Sequence, residues 1–289
     1  MGVIEHLKLQ SGRLVHAIAH RIWPVARKPI LQHLDRLDQR INRIEQRFNS
    51  NARDQNALRI LDSNGLQLLL DPSSHVDRQI IETGNWEPQQ LDYIMSTAYL
   101  LISRLDREAV FLDLGAYFGL YAMRMARSHL FSRIIAIEGD CRNYAQLRAN
   151  IFINSLDRIV ECVEAVLNEC TAEMIFWRSE AHYLGNRGGV GLVSSHKNGI
   201  TEKVNAIPVD DVISVSGMLI VAKIDVEGHE LAVVRGMKGL IENNQVLLQI
   251  ECFPDSIAHH AQFLPTLGLR QINRIEADSY WTNIPASLI

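Results

Sequence analysis

The chain has 289 residues, 47% of them hydrophobic and 21% charged, with a formal net charge of −4. That much apolar content and so little net charge exclude disorder as the main state, and the length allows one large domain with an appendage, or two domains. Seventeen Gly and eight Pro, scattered without period, exclude a collagen-like or low-complexity chain.

The first fifty residues read as a helical arm. Ile30, Leu34, Leu37, Ile41, Ile44 and Phe48 recur at alternating spacings of four and three, a short heptad seam interrupted upstream by Pro24 and Pro29. The arm holds nine Lys/Arg against four Asp/Glu, whereas the remaining residues hold 20 against 29. The basic arm suits a dimer partner through residues 30–48, a peripheral membrane contact, or a helix folded on its own body. The acidic remainder gives no reason to expect nucleic acid. The four cysteines form no CxxC pair, so reduced thiols and a cytoplasmic location are expected. No stretch reaches 18 apolar residues, and charged residues stand where a signal peptide needs an apolar run.

Residues 51–108 form an extension packed on the core. Leu58–Leu61 and Leu66–Leu70 flank Asn64-Gly65, the signature of a β-hairpin, and Gln89–Arg104 follows Pro88 as a helix. From residue 109 strands and helices alternate. Strands are predicted at Ala109–Leu114, Arg133–Glu138, Ile159–Leu167, Leu219–Asp225 and Val246–Glu251, with two closing strands at Arg270–Ile275 and Ser279–Asn283. Helices are predicted at Leu120–His129, Arg142–Asn154 (capped by Asp140), His229–Leu240 and Ser256–Leu267. Such alternation implies a doubly wound, mostly parallel α/β sheet over 109–289. A Gly/Ser-rich insert at 181–200, with His182, Tyr183, Asn186, Arg187 and His196, interrupts it as a polar lid or a surface loop.

Ligands of such sheets lie at the carboxyl ends of the strands. There the first strand of the alternation ends in Asp113-Leu-Gly115-Ala-Tyr117-Phe-Gly119. Gly115 and Gly119 permit a tight turn with the backbone close to a ligand. Glu138, ending the next strand, can accept hydrogen bonds from ribose hydroxyls. The loop lacks the glycine cluster of a pyrophosphate site, which argues against a nicotinamide oxidoreductase. Asp113 would repel phosphate and suit a cation. An adenosine with a positive sulfonium, S-adenosylmethionine, fits all three features.

Asp113-Leu-Gly115-Ala116-Tyr117-Phe-Gly119-Leu-Tyr121, Val209-Asp210-Asp211-Val212 and Lys223-Ile-Asp225-Val-Glu227-Gly228-His229-Glu230 resemble motifs of the FkbM family of class I S-adenosylmethionine-dependent methyltransferases. Gly84-Asn-Trp86-Glu87-Pro88, Ala165-Val166 and Gln249-Ile-Glu251 are similar to further segments of that family, and the likeness runs from about residue 77 to 285. The resemblance implies a seven-stranded Rossmann-like sheet with S-adenosylmethionine as cofactor. It implies cofactor contacts from Glu87, Asp113, Gly115, Tyr117 and Gly119, joined by Glu138, Glu164 and Ala165. Tyr117 departs from the family, which has Asn there; its hydroxyl could donate to the cofactor, or its ring could stack.

An alcohol acceptor must lose a proton as it is methylated, and a positioned base serves that need. The candidates are Asp225 and Glu227 as acceptor-site carboxylates and His229 as base or acceptor ligand. Resemblance implies O-methylation of a hydroxyl on a sugar, glycan or related small metabolite, with N-methylation a close variant. Asp225, Glu227, Glu251, Asp210 and Asp211 are hard oxygen donors that could converge on a divalent metal, but no resident metal is expected. The alternative from another class is a catalytically silent adenosyl-binding scaffold that assembles through its N-terminal helices.

Overall fold

The computed structural model describes residues 57–177, 187–189, 191–192 and 201–289. The helical arm with its seam, and His182, Tyr183, Asn186 and His196 of the insert, lie outside the described residues.

A hairpin opens the described part, β1 (Arg59–Ser63) and β2 (Leu66–Leu70). It turns at Asn64 and Gly65, whose φ values of 52° and 77° are what a two-residue Asn-Gly turn requires. Then come α1 (His75–Thr83) and α2 (Pro88–Leu105). Helix α1 is absent from the sequence reading. It has nine residues and buries only Val76, Asp77 and Ile80, too short a stripe for a periodic signal.

The alternating region supplies β3 (Ala109–Leu114), α3 (Leu120–Ser128), β4 (Arg133–Glu138), α4 (Cys141–Ile153) and β5 (Val160–Glu164). After β6 (Val166–Leu167), β7 (Ala172–Trp177), β8 (Thr201–Ile207) and α5 (Val209–Val212) it resumes with β9 (Leu219–Ile224), α6 (Glu230–Arg235), α7 (Lys238–Asn243) and β10 (Gln245–Glu251). Helix α8 (Ile257–Phe263) and the hairpin β11 (Arg270–Ile275) and β12 (Asp278–Thr282) complete it.

Seven strands form one sheet in the order β11-β12-β10-β9-β3-β4-β5. The five from β10 to β5 are parallel, and β12 runs against both its neighbours. This is the doubly wound, mostly parallel α/β sheet that the alternation predicts. The central strands are mostly apolar because both faces are covered, with Asp113 of β3 and Lys223 of β9 as charged exceptions near their carboxyl ends. Phe111 and Val221 face one core with α2, α3 and α4, while Leu112, Ile220 and Ala222 face the other with α6 and α7. Residues Leu58–Ile289 cluster as one compact unit, so the extension from 58 to 108 shares it with the sheet.

Two predicted elements are divided. The strand expected at 159–167 breaks at Ala165, whose N–H turns to the Glu138 carbonyl (3.1 Å), and β6 leaves to pair with β8 in a separate three-stranded sheet. The helix expected at 229–240 breaks at Gly236-Met237. There the chain packs so tightly on Asn168 that a Cβ on Gly236 would strike its carbonyl oxygen. Asp210 restarts the helix by accepting the N–H groups of Gly239 (2.7 Å) and Leu240 (2.9 Å).

Candidate active site

Strand order reverses between β3 and β9. After β3 the chain proceeds outward through β4 and β5, and it returns to place β9 and β10 on the other side. The ends of β3 and β9 are level, with Leu114 opposite Ile224. A cleft of about 310 Å³ opens at these carboxyl ends, as expected of a topological switch point.

Its floor is the glycine loop. Gly115 (φ 84°) and Ala116 both donate to the Ile137 carbonyl, at 3.0 and 2.9 Å. A Cβ on Gly115 would run into the Asp225 carbonyl, so only glycine lets the loop lie against the end of β9. Gly119 (φ 88°) begins α3, and a Cβ there would strike the Leu147 side chain. Asp113 is buried and accepts the Ala122 N–H at 2.9 Å, which ties β3 to α3. Burial raises its carboxyl to about 6 against the pull of the Lys223 ammonium.

Glu138 lies at the end of β4 with both oxygens on backbone donors, Tyr117 N (2.8 Å) and Asp140 N (2.8 Å). Burial pushes it up to about 8 even so. Tyr117 itself lines the cleft in left-handed conformation, φ 51°. Its hydroxyl donates to Asp77 (2.7 Å) and meets Ser74 (2.7 Å). That corrects the expectation of a phenolic donor aimed at the cofactor: the hydroxyl is committed to α1. Glu87 accepts the Tyr121 hydroxyl at 2.7 Å, and both residues line the cleft.

The opposite wall comes from the ends of β9 and β10. Lys223 is buried and bonds Asp225 at 2.7 Å, with its ammonium 4.6 Å over the Tyr121 ring. Burial alone would depress Lys223, but Asp225, Glu87, Tyr121 and Asp113 outweigh it and hold the ammonium well above its usual value. Burial likewise would raise Asp225, and Lys223 more than reverses it. Asp225, Glu227 and Glu251 bring carboxylate oxygens within 4.8 Å of one another. Burial and the Asp225 charge push Glu227 up to about 8 and Glu251 up to about 10.

Glu227 lies in a loop ahead of α6, with φ 56°. Glu230 shapes that loop by accepting Gly228 N at 2.8 Å and Val226 N at 3.3 Å. His229 is the residue before α6, lines the cleft and bonds Asn168 Oδ1 through Nε2 at 2.9 Å. Burial lowers its basicity.

Among the residues expected to bind cofactor, the structure gathers Glu87, Asp113, Gly115, Tyr117, Glu138 and Ala165 around one cleft. Gly119 adjoins it through Phe118 and Leu120. Glu164 is exposed and outside the lining, because β5 ends with that side chain turned to solvent. The wider oxygen-donor set is reduced too. Asp210 caps α7 and Asp211 meets Thr171, so neither joins Asp225. The sequence reading missed Asn143, Tyr121 and Trp86 as lining residues. Glu251 carried a signal, an acid ending an apolar strand as Asp225 does.

The family profile described as "Methyltransferase FkbM domain" matches residues 113–271, more than half of the chain. No curated protein matches the chain. A methyltransferase FkbM from Methylobacillus flagellatus KT is similar in structure, with 16% identity and a TM-score of 0.42, over 71% of this chain and 60% of that one. The N-terminal domain of human METTL16, solved with SAH, is 12% identical over 70% and 72%, TM-score 0.41. M. jannaschii TYW2, solved with AdoMet, is 11% identical over 78% and 83%, TM-score 0.38.

The cleft fits S-adenosylmethionine. Its carboxylates at the ends of β3 and β4 suit a sulfonium and a ribose diol, and glycine gives backbone access between them. Among the described residues, the buried Asn143 Oδ1 has no hydrogen-bond partner, an acceptor that a bound adenosine can satisfy.

Proposed function

Because the chain belongs to the FkbM methyltransferase family, whose cofactor is S-adenosylmethionine, we propose that it methylates a hydroxyl of a sugar, glycan or related metabolite. When bound, the cofactor supplies an electrophilic methyl group on a sulfonium. Asp113, Glu138, Glu87 and the backbone from Gly115 to Gly119 hold the cofactor in this reading, and Ala165 lies against it.

The observation that carries a hydroxyl acceptor is the convergence of Asp225, Glu227 and Glu251 beside the buried Lys223 ammonium. Three carboxyl groups in one wall can receive several O–H donors, and Lys223 keeps Asp225 ionised for that purpose. In-line transfer rewards alignment, so the main work of Asp225 is to orient the hydroxyl toward the methyl group. Glu227 takes the proton, since its raised value of about 8 is better matched to a base than that of an ordinary carboxylate. His229 is a neutral acceptor ligand, steadied by Asn168.

Calorimetry with S-adenosylhomocysteine, followed by turnover on panels of hydroxylated glycans and of amines, tests this reading. A methyl ether found by mass spectrometry supports it. Methylation confined to the amines overturns the hydroxyl acceptor. Cofactor binding without turnover on any acceptor favours the scaffold alternative.

A further inference from the structure

Asn143 lies in the first turn of α4 and lines the cleft with Glu138 and Gly139. It is 1% exposed. Its Nδ2 donates to the Arg187 carbonyl at 2.9 Å, while its Oδ1 has no partner among the described residues. A carbonyl only accepts hydrogen bonds, so this contact decides which way the amide is turned. Oxygen is left as the free group, and a buried amide oxygen is expensive to leave unpaired.

Arg187 is itself fixed in place. Its N–H donates to Ser74 Oγ at 3.2 Å, and its guanidinium lies between Asp71 (3.5 Å) and Asp77 (3.6 Å) and bonds Gln146. The guanidinium also lies 5.8 Å from the Tyr117 ring centroid. Burial would raise Asp71, yet Ser73, Arg187 and Arg142 together hold it low and therefore ionised. A buried charge so held gives the Arg187 backbone little freedom to move.

We propose that Asn143 is a further cofactor-binding residue, its amide oxygen accepting a hydrogen bond from the exocyclic amine of adenine. Arg187 is the positioning residue that holds the amide in this sense. Adenosine offers two kinds of donor, the ribose hydroxyls and the amine. Glu138 keeps lone pairs for the hydroxyls beyond its two backbone bonds, which leaves the amine in want of an acceptor. The inference rests on the cofactor and is independent of the acceptor's identity.

The test is calorimetric binding of S-adenosylhomocysteine and of its deaminated analogue, S-inosylhomocysteine, to the full chain. The two differ at C6, where an amine donor becomes a carbonyl acceptor, and at the adjacent N1, which changes from acceptor to N–H donor. Wild type is expected to prefer the adenosyl compound by tenfold or more, because the inosyl carbonyl would face the Asn143 oxygen. Asn143→Ala should lose about three- to tenfold in affinity for the adenosyl compound and most of that preference. Arg187→Met should narrow the preference, Arg187→Lys should restore part of it, and neither should change it further once Asn143 is Ala. Asn143→Ser repeats the test if the Ala variant does not fold. An unchanged preference in the folded Asn143 variants, or equal losses for both ligands, overturns the assignment. Failure of wild type to bind S-adenosylhomocysteine would count against the cofactor itself instead.

Discussion

Lys223 and Asp225 stand two residues apart at the end of β9, joined at 2.7 Å, with the lysine side chain 8% exposed and the aspartate 24%. The alternation of a strand puts them on one side, and the sheet's carboxyl edge puts that side in the cleft. Lys223 is the buried cation among Asp113, Glu87 and Asp225. Lys223→Met should therefore cost about 3 kcal/mol, since it leaves the buried Asp113 and the half-buried Asp225 without their cation. Urea denaturation measures this, and a loss below about 1 kcal/mol would contradict the role given to the pair.

Glu227 has a folded-state value of about 8 against its usual 4.5. The folded chain thus binds more protons at this group than the unfolded chain across that interval. Its contribution to stability is full below pH 4.5 and is lost as pH rises through about 8. Glu227→Gln removes the titration, so the melting temperature of wild type should fall relative to the variant between pH 5 and pH 8. Parallel curves would show that Glu227 ionises normally.

Gly115→Ala places a methyl group against the Asp225 carbonyl in a backbone conformation, φ 84°, that disfavours any side chain. The expected loss is about 3 kcal/mol or more, seen as a lower unfolding midpoint, together with lost cofactor binding. A variant of wild-type stability would mean that the loop does not rest on β9.

Tyr117→Phe deletes the hydroxyl shared by Asp77 and Ser74 but keeps the ring and the N–H that serves Glu138. Stability should fall by about 1–3 kcal/mol while affinity for S-adenosylhomocysteine stays within about twofold. A large loss of affinity with unchanged stability would return the hydroxyl to the cofactor.

Asp225→Asn should reduce turnover by about a hundredfold or more on whatever acceptor is found, whereas His229→Ala should keep most of it. Single-turnover rates separate the two. The reverse order would make His229 the base and Asp225 its support.

Much of the fold was legible in the sequence because an apolar strand covered on both faces leaves a continuous run, as at β3 and β9. The acids ending those runs were legible too, since a charge closing an apolar strand has few structural reasons. What could not be read depends on long-range contacts. The break at Gly236 is imposed by Asn168 and Asp210, far away in sequence, and α6–α7 read locally as one helix. The fate of the Tyr117 hydroxyl depends on Asp77, 40 residues distant. Nothing in the residues around Asn143 signals that its partner is an arginine carbonyl in an insert.

The contact between Gly115 and the Asp225 carbonyl joins the two halves of the sheet backbone to backbone, with no side chain as spacer. Spacing between the methyl donor's seat and the acceptor wall is thereby a property of the main chain. In the proposed reading, substitutions at Glu227 or His229 change the acceptor wall, and neither alters that reach. The chain carries a fixed gauge for the transfer and an exchangeable set of jaws.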